Sequence, residues 1–130
     1  KGREDSAKTA EFLKKAGINI DIIWHSTKTR AIETAQIFAQ KLLSKERTEH
    51  KEGLAPNDPV DKVFADIATL KKDIMIVGHL PFLQKIVSFA LTDSELNEIV
   101  KFNMGGTVCL ERDETGKWRL IFEITPDLLK

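Results

Sequence analysis

Residues 20–43 pass from a strand to a helix across four polar positions, and that passage limits the chain to few architectures. Ile20-Asp21-Ile22-Ile23-Trp24 is an apolar run of strand length. After His25-Ser26-Thr27-Lys28, the 3.6-residue spacing of Ile32, Ala35, Ala39, Leu42 and Leu43 predicts a helix over Thr29–Leu43. A strand feeding a helix so directly is half of a βαβ unit, which builds a parallel sheet covered by helices. Arg30 then falls in the first helical turn, near the C-terminal end of the strand. Ligands of open α/β sheets bind at that edge, and a helix N-terminus favours anions through its free N–H groups and dipole. A guanidinium there suits a phosphate or carboxylate, because its planar fork donates two parallel hydrogen bonds. The alternative is a surface arginine paired with Glu33 one turn on, a contact worth about 0.2–0.5 kcal/mol.

The same alternation continues along the chain. A first helix is predicted over Glu4–Ala16, with Ala7, Ala10 and Leu13 on one face and Gly17 as its stop. The stretch Ser44–Asn57 is polar and charged, with a short strand near Thr48–Lys51. Asp58 followed by Pro59 reads as an N-cap and N1 proline for a third helix that turns Val60, Val63, Phe64, Ile67 and Leu70 inward. Ile74-Met75-Ile76-Val77 is a continuous apolar run, as in a central strand covered on both faces. Gly78-His79-Leu80-Pro81 turns into a fourth helix with Leu83, Ile86, Val87, Ala90 and Leu91 at core spacing. After the polar segment Asp93–Glu98 the pattern becomes a hairpin. Thr107–Glu111 and Trp118–Ile124 alternate around a turn containing Gly116, with Trp118, Leu120, Phe122 and Ile124 expected on one face. Together these elements predict an α/β protein: one domain over 1–130, a three-layer α/β/α sandwich with a mostly parallel central sheet and a C-terminal antiparallel hairpin.

Composition removes several function classes. Twenty basic and twenty acidic residues leave no net charge, so neither a nucleic-acid nor a membrane-surface partner is expected. No apolar run reaches the ~20 residues needed to cross a bilayer. The single Cys109 rules out an internal disulfide and suits a reducing, cytoplasmic compartment; its place in an alternating strand reads as packing. One Cys and three scattered His do not form a zinc set, and no Gly-rich nucleotide loop occurs, so neither metal nor cofactor is expected. Gly105-Gly106 reads as a bend before a strand.

His79 is the second candidate. Like Arg30 it follows a buried strand at the entrance to a helix, where an imidazole can hydrogen-bond an oxyanion. Its alternative is a turn residue satisfied by a backbone carbonyl. Two parallel strands that both end in a cationic or near-cationic group converge on one sheet edge, and that arrangement suits phosphate.

The segment Ser26-Thr27-Lys28-Thr29-Arg30-Ala31-Ile32-Glu33-Thr34-Ala35 resembles the Ser-x-x-x-Arg-Ala-x-x-Thr-Ala motif of the histidine phosphatase superfamily, which includes the cofactor-dependent phosphoglycerate mutases. Ile76-Val77-Gly78-His79-Leu80-Pro81 resembles that superfamily's second histidine motif. Leu54-Ala55-Pro56-Asn57-Asp58 and the closing Trp118 strand with Ile124-Thr125-Pro126 are similar to the SixA-type phosphohistidine phosphatases. The resemblance spans essentially the whole chain and implies a phosphoglycerate mutase-like fold. It also implies phosphoryl transfer through a phosphohistidine on the enzyme, with a phosphorylated protein of the histidine-phosphotransfer type as substrate. By motif match, Arg30 and His79 are the implied catalytic residues; with the backbone N–H of Leu80 at the helix start, they are the implied phosphate ligands. A small-molecule (sugar-phosphate) phosphatase or mutase is the enzymatic alternative, and a non-catalytic phosphate- or phosphoprotein-binding module is the alternative of another class.

The resemblance also implies a nucleophilic histidine in a Leu-x-Arg-His-Gly segment ending the first strand, and no such segment occurs. None of His25, His50 and His79 has Arg before it and Gly after it. His25 reads as a packed or rim residue and His50 as a solvated one. The chain opens Lys1-Gly2-Arg3-Glu4-Asp5 without an initiator Met, so truncation at the N-terminus is the expectation, and the polypeptide as it stands is expected to be inactive. Glu52 and Asp58 are the carboxylates available as proton donors. They read more simply as a solvated residue and a helix cap.

Overall fold

The structure, a computed structural model, describes residues 2–43 and 48–129; positions 44–47, the start of the polar stretch, lie outside the described residues. The element order is α1 (Gly2–Lys15), β1 (Ile22–His25), α2 (Thr29–Leu42), β2 (Thr48–His50), α3 (Asp61–Thr69), β3 (Ile74–Val77), α4 (Phe82–Thr92), β4 (Thr107–Arg112) and β5 (Trp118–Ile124), closed by a 3₁₀ turn over Pro126–Leu128. Strands β1–β3 form a parallel sheet in the order β2-β1-β3, and β4 and β5 form a separate antiparallel pair. No helix among the described residues is long and apolar enough to cross a membrane.

The alternation of β1 builds the layers. Ile23 points into a cluster with Ala10 and Leu13 of α1 and Ala35, Phe38, Ala39 and Leu42 of α2. Ile22 and Trp24 point the other way, into a cluster with Leu54, Val60, Val63, Phe82 and Ile86 from the α3 and α4 side. Phe82, Val60 and Val63 have no exposed surface, and burying side chains of this kind contributes about 1.5–3 kcal/mol each. Helix α1 stops as expected: Gly17 takes φ +82°, and the N–H of Ile18 donates to the carbonyl of Leu13.

Five sequence expectations are corrected. The helix face of α1 uses Thr9, whose hydroxyl donates to the carbonyl of Asp5, whereas Ala7 is exposed. Asp58 does not cap α3. The helix begins at Asp61 behind Val60, and the Asp58 carboxylate accepts the N–H of Ala55, locking the preceding turn. Strand β3 is not central: β1 is, and β3 is half-buried and paired on one side only among the described residues. Helix α4 begins at Phe82, two residues after Leu80. In the hairpin, Cys109 pairs with Phe122 but Leu110 pairs with Leu120, so Ile121 is skipped. That bulge reverses the side-chain parity. Phe122 packs toward the α1–α2 cluster, Trp118 lies 5.9 Å from Phe64 of α3, and Leu120 and Ile121 are 42% and 52% exposed.

The segment between α4 and β4 is held by Gln84. Its buried amide donates to the carbonyl of Val100 (2.6 Å) and accepts the N–H of Phe102 (2.6 Å). This brings residues 100–102 back beside the first turn of α4.

Candidate functional site

Ser26 joins the two candidate segments. It follows β1 directly, and its backbone N–H donates to the carbonyl of Val77 (3.3 Å), which carries the parallel ladder one bond beyond the strands. The side chain is buried, with 6% of the residue exposed, and its hydroxyl lies 2.7 Å from Nε2 of His79. The register that sets His25 beside Val77 makes this contact, because one step further places Ser26 beside Gly78, next to His79.

Arg30 is the second residue of α2 and is exposed. It is not the surface ion-pair residue of the alternative reading: Glu33 pairs with Arg3. Among the described residues neither Arg30 nor Lys28 forms an ion pair. The basic residue after β2 is committed by contrast, with Lys51 Nζ 2.6 Å from the Asp66 carboxylate and 4.5 Å from the centre of the Trp24 ring. Lys28 stands at the N-cap of α2 in an extended conformation with no side-chain cap, so no side-chain acceptor caps the first-turn amides.

His79 is half-buried in the turn between β3 and α4, and its carbonyl already accepts the N–H of Leu83. Burial holds its pKa below the usual 6.5, and the positive charges of Lys28 and then Arg30 push it the same way. Those two charges act on the ring because the starts of both helix-leading turns share one edge of the sheet. The imidazole is therefore neutral at neutral pH, beside two cations without acids. An unpaired positive field at a helix N-terminus is an anion site.

Leu80 lies in the same turn, and its N–H precedes the helix proper, which begins at Phe82. The other histidines are elsewhere engaged. His25 is buried with Nδ1 2.9 Å from the carbonyl of Ser26, and exposed His50 lies 3.8 Å from Glu52. The Glu52 side chain is 84% exposed. Burial, Glu111 and Asp73 push the Cys109 thiol up, which keeps it protonated and inert. Ser26 and Lys28, which the structure places beside His79, stand in the sequence only as part of a motif. The signal for Ser26 was its position, the first residue after a strand whose parallel neighbour ends at Gly78-His79.

Residues 1–56 match the family model of the histidine phosphatase superfamily (branch 1). No curated protein sequence matches the chain. Among solved structures, the protein histidine phosphatase SixA complexed with tungstate superposes with a TM-score of 0.86 at 21% identity, over 98% of this chain and 83% of that one. A protein assigned as the phosphohistidine phosphatase SixA of Agrobacterium tumefaciens gives a TM-score of 0.77 at 20% identity, over 95% of this chain and 79% of that one. At these identities the two structures establish the shared fold.

Proposed function

We propose that this chain is a histidine phosphatase that removes the phosphoryl group from phosphohistidine in a cytoplasmic signalling or phosphotransfer protein; the match of residues 1–56 to the superfamily model and the shared fold support that reading. The observation that carries this reading is the contact of Ser26 with His79, which joins the ends of β1 and β3 and sets the exposed cations Lys28 and Arg30, neither in an ion pair among the described residues, on the same sheet edge as the ring. Arg30 neutralises charge on the equatorial oxygens of the phosphoryl group, and His79 with the Leu80 N–H orients it for in-line attack. An imidazole nitrogen of the enzyme attacks phosphorus, the P–N bond of the substrate breaks, and the departing imidazole takes a proton. Water then attacks the enzyme's phosphohistidine and releases inorganic phosphate.

The attacking histidine is none of the three present. His25 is buried against the Ser26 carbonyl, His50 is an exposed partner of Glu52, and His79 is held by Ser26. We place the nucleophile on a strand ending in Arg-His-Gly that pairs with the open side of β3. Among the described residues Glu52 pairs with His50, and Asp58 accepts the N–H of Ala55. A phosphohistidine substrate needs neither as a proton donor, because its leaving imidazole is protonated readily near neutral pH. The open edge also suits a protein-borne substrate.

The test is turnover of a phosphorylated histidine domain by the full-length protein, measured against a panel of phosphosugars. Faster turnover of the sugars would replace this reading with the small-molecule one. Reading the residues encoded before Lys1 is a second check: a strand ending in Arg-His-Gly supports the enzyme, and a different sequence there supports a phosphoprotein-binding module.

A further inference from the structure

We propose that Ser26 is a positioning residue that fixes which ring nitrogen of His79 carries the proton. The inference rests on the reading of His79 as part of the phosphate site, and it goes beyond that reading in assigning the proton. The Ser26 hydroxyl has one hydrogen to donate and lone pairs to accept with. The backbone N–H of Lys28 points at the oxygen from 3.4 Å, a serine bonding its own backbone two residues on. That approach takes one lone pair, and the hydroxyl hydrogen still needs an acceptor, which neither the Lys28 N–H nor another hydrogen-bonded group among the described residues provides. Nε2 of His79, at 2.7 Å, is then left as the acceptor for the hydroxyl hydrogen, and burial keeps a competing water from serving as one.

An Nε2 that accepts is a bare nitrogen, so the single proton of the neutral ring sits on Nδ1. Lys28 and Arg30, the charged groups facing the ring, disfavour a second proton and keep Nε2 available as acceptor. The consequence is chemical. Free imidazole side chains in water favour the opposite tautomer, with the proton on Nε2. Ser26 reverses that preference and presents Nδ1–H as a donor to a phosphoryl oxygen, while Arg30 supplies the full charge. A donor fixed before substrate arrives need not reorganise during the reaction.

Long-range ¹H–¹⁵N correlation spectra of the histidine rings test this directly, with His79 assigned from the signals lost in His79→Gln. The expected wild-type pattern is a protonated Nδ1 and a bare Nε2. Ser26→Ala should shift the ring toward the Nε2–H form, and Ser26→Thr, which keeps the hydroxyl, should restore the wild-type pattern. A wild-type ring protonated on Nε2 overturns the proposal, as does a Ser26→Ala spectrum unchanged from wild type. If Ser26→Ala does not fold, the wild-type and Ser26→Thr spectra still decide. In the full-length protein, Ser26→Ala should lower kcat about 10- to 100-fold with little change in KM. Faster turnover of phosphosugars than of a phosphorylated histidine domain would defeat the proposed function and leave the tautomer spectra to judge Ser26 by themselves.

Discussion

At the end of β1 the chain runs through Ser26, Thr27 and Lys28 before α2 begins, while at the end of β3 it runs through Gly78, His79 and Leu80-Pro81 before α4. Both passages reach the same sheet edge, and they arm it differently. The first delivers permanent charge on exposed side chains, Lys28 and Arg30, with no acid to quench it. The second delivers a half-buried ring whose charge is suppressed by burial and by those same cations. An anion site needs both kinds of group. In the proposed site the fixed charge would draw the phosphoryl group in, and the neutral ring would direct a hydrogen bond without adding a charge that would itself need a counter-ion. The contact between Ser26 and His79 couples the two passages across 53 residues of chain.

The sharpest way to break this comparison is to disarm each passage in turn. In the full-length protein, Arg30→Ala and His79→Ala should each lower phosphohistidine turnover by about 10²–10⁴. Thermal unfolding should shift little, because Arg30 is exposed and His79 lies at an edge. Full activity in either variant would remove that passage from the site. Core substitutions behind the same turns should act in the opposite sense, on stability first. Phe82 follows the His79 turn directly and is fully buried, so Phe82→Ala should cost about 3–5 kcal/mol in denaturant unfolding. Gln84, two residues on, satisfies two backbone groups of the 100–102 segment. Gln84→Leu leaves both unpaired and should cost about 1–3 kcal/mol.

Much of the parallel half was legible in the sequence because each element carries its own period. Strand β1, α2 and the Arg30 position follow from spacing alone, and the motif around His79 points to the second turn. The misreadings share one cause, which is that local pattern does not report pairing. A continuous apolar run marks a strand as covered, yet Ile74–Val77 is the flank of the described sheet and not its centre. The alternation Trp118, Leu120, Phe122, Ile124 is unbroken in sequence, and a skipped residue in the ladder still sends Leu120 and Phe122 to opposite faces. Asp58 followed by Pro59 has the chemistry of a cap, and a tight turn uses the same carboxylate equally well. Ser26 carries only a positional signal, its place directly after β1, because its partner is 53 residues away and the contact depends on the register between β1 and β3.

The neutral ring of His79 also makes a pH prediction, smaller than the mutational ones. Its folded pKa lies below the ordinary 6.5, so the unfolded chain binds its proton more readily than the native state does. This contribution to stability is complete above pH 6.5 and is lost as the pH falls through the lowered folded value. Unfolding measured from pH 7.5 down to 5 should show a decline that is shallower in His79→Gln. Equal slopes in the two proteins would mean that the ring is not suppressed, and the contrast between fixed and suppressed charge would fail.

The smallest expected effect bears on Arg30 itself. Glu33 sits one turn from Arg30, where an i,i+3 pair would normally form, yet it is held by Arg3 from α1. Glu33→Gln therefore removes a contact between the two helices at a surface site, which should cost less than about 1 kcal/mol. Binding of inorganic phosphate, measured by calorimetry at low salt, should change by less than about twofold, since the carboxylate does not quench Arg30 in the native state. Markedly tighter phosphate binding in Glu33→Gln would show that Glu33 spends much of its time on Arg30. The first passage would then be a masked charge and not a free one, and the two strand ends would differ less than their geometry indicates.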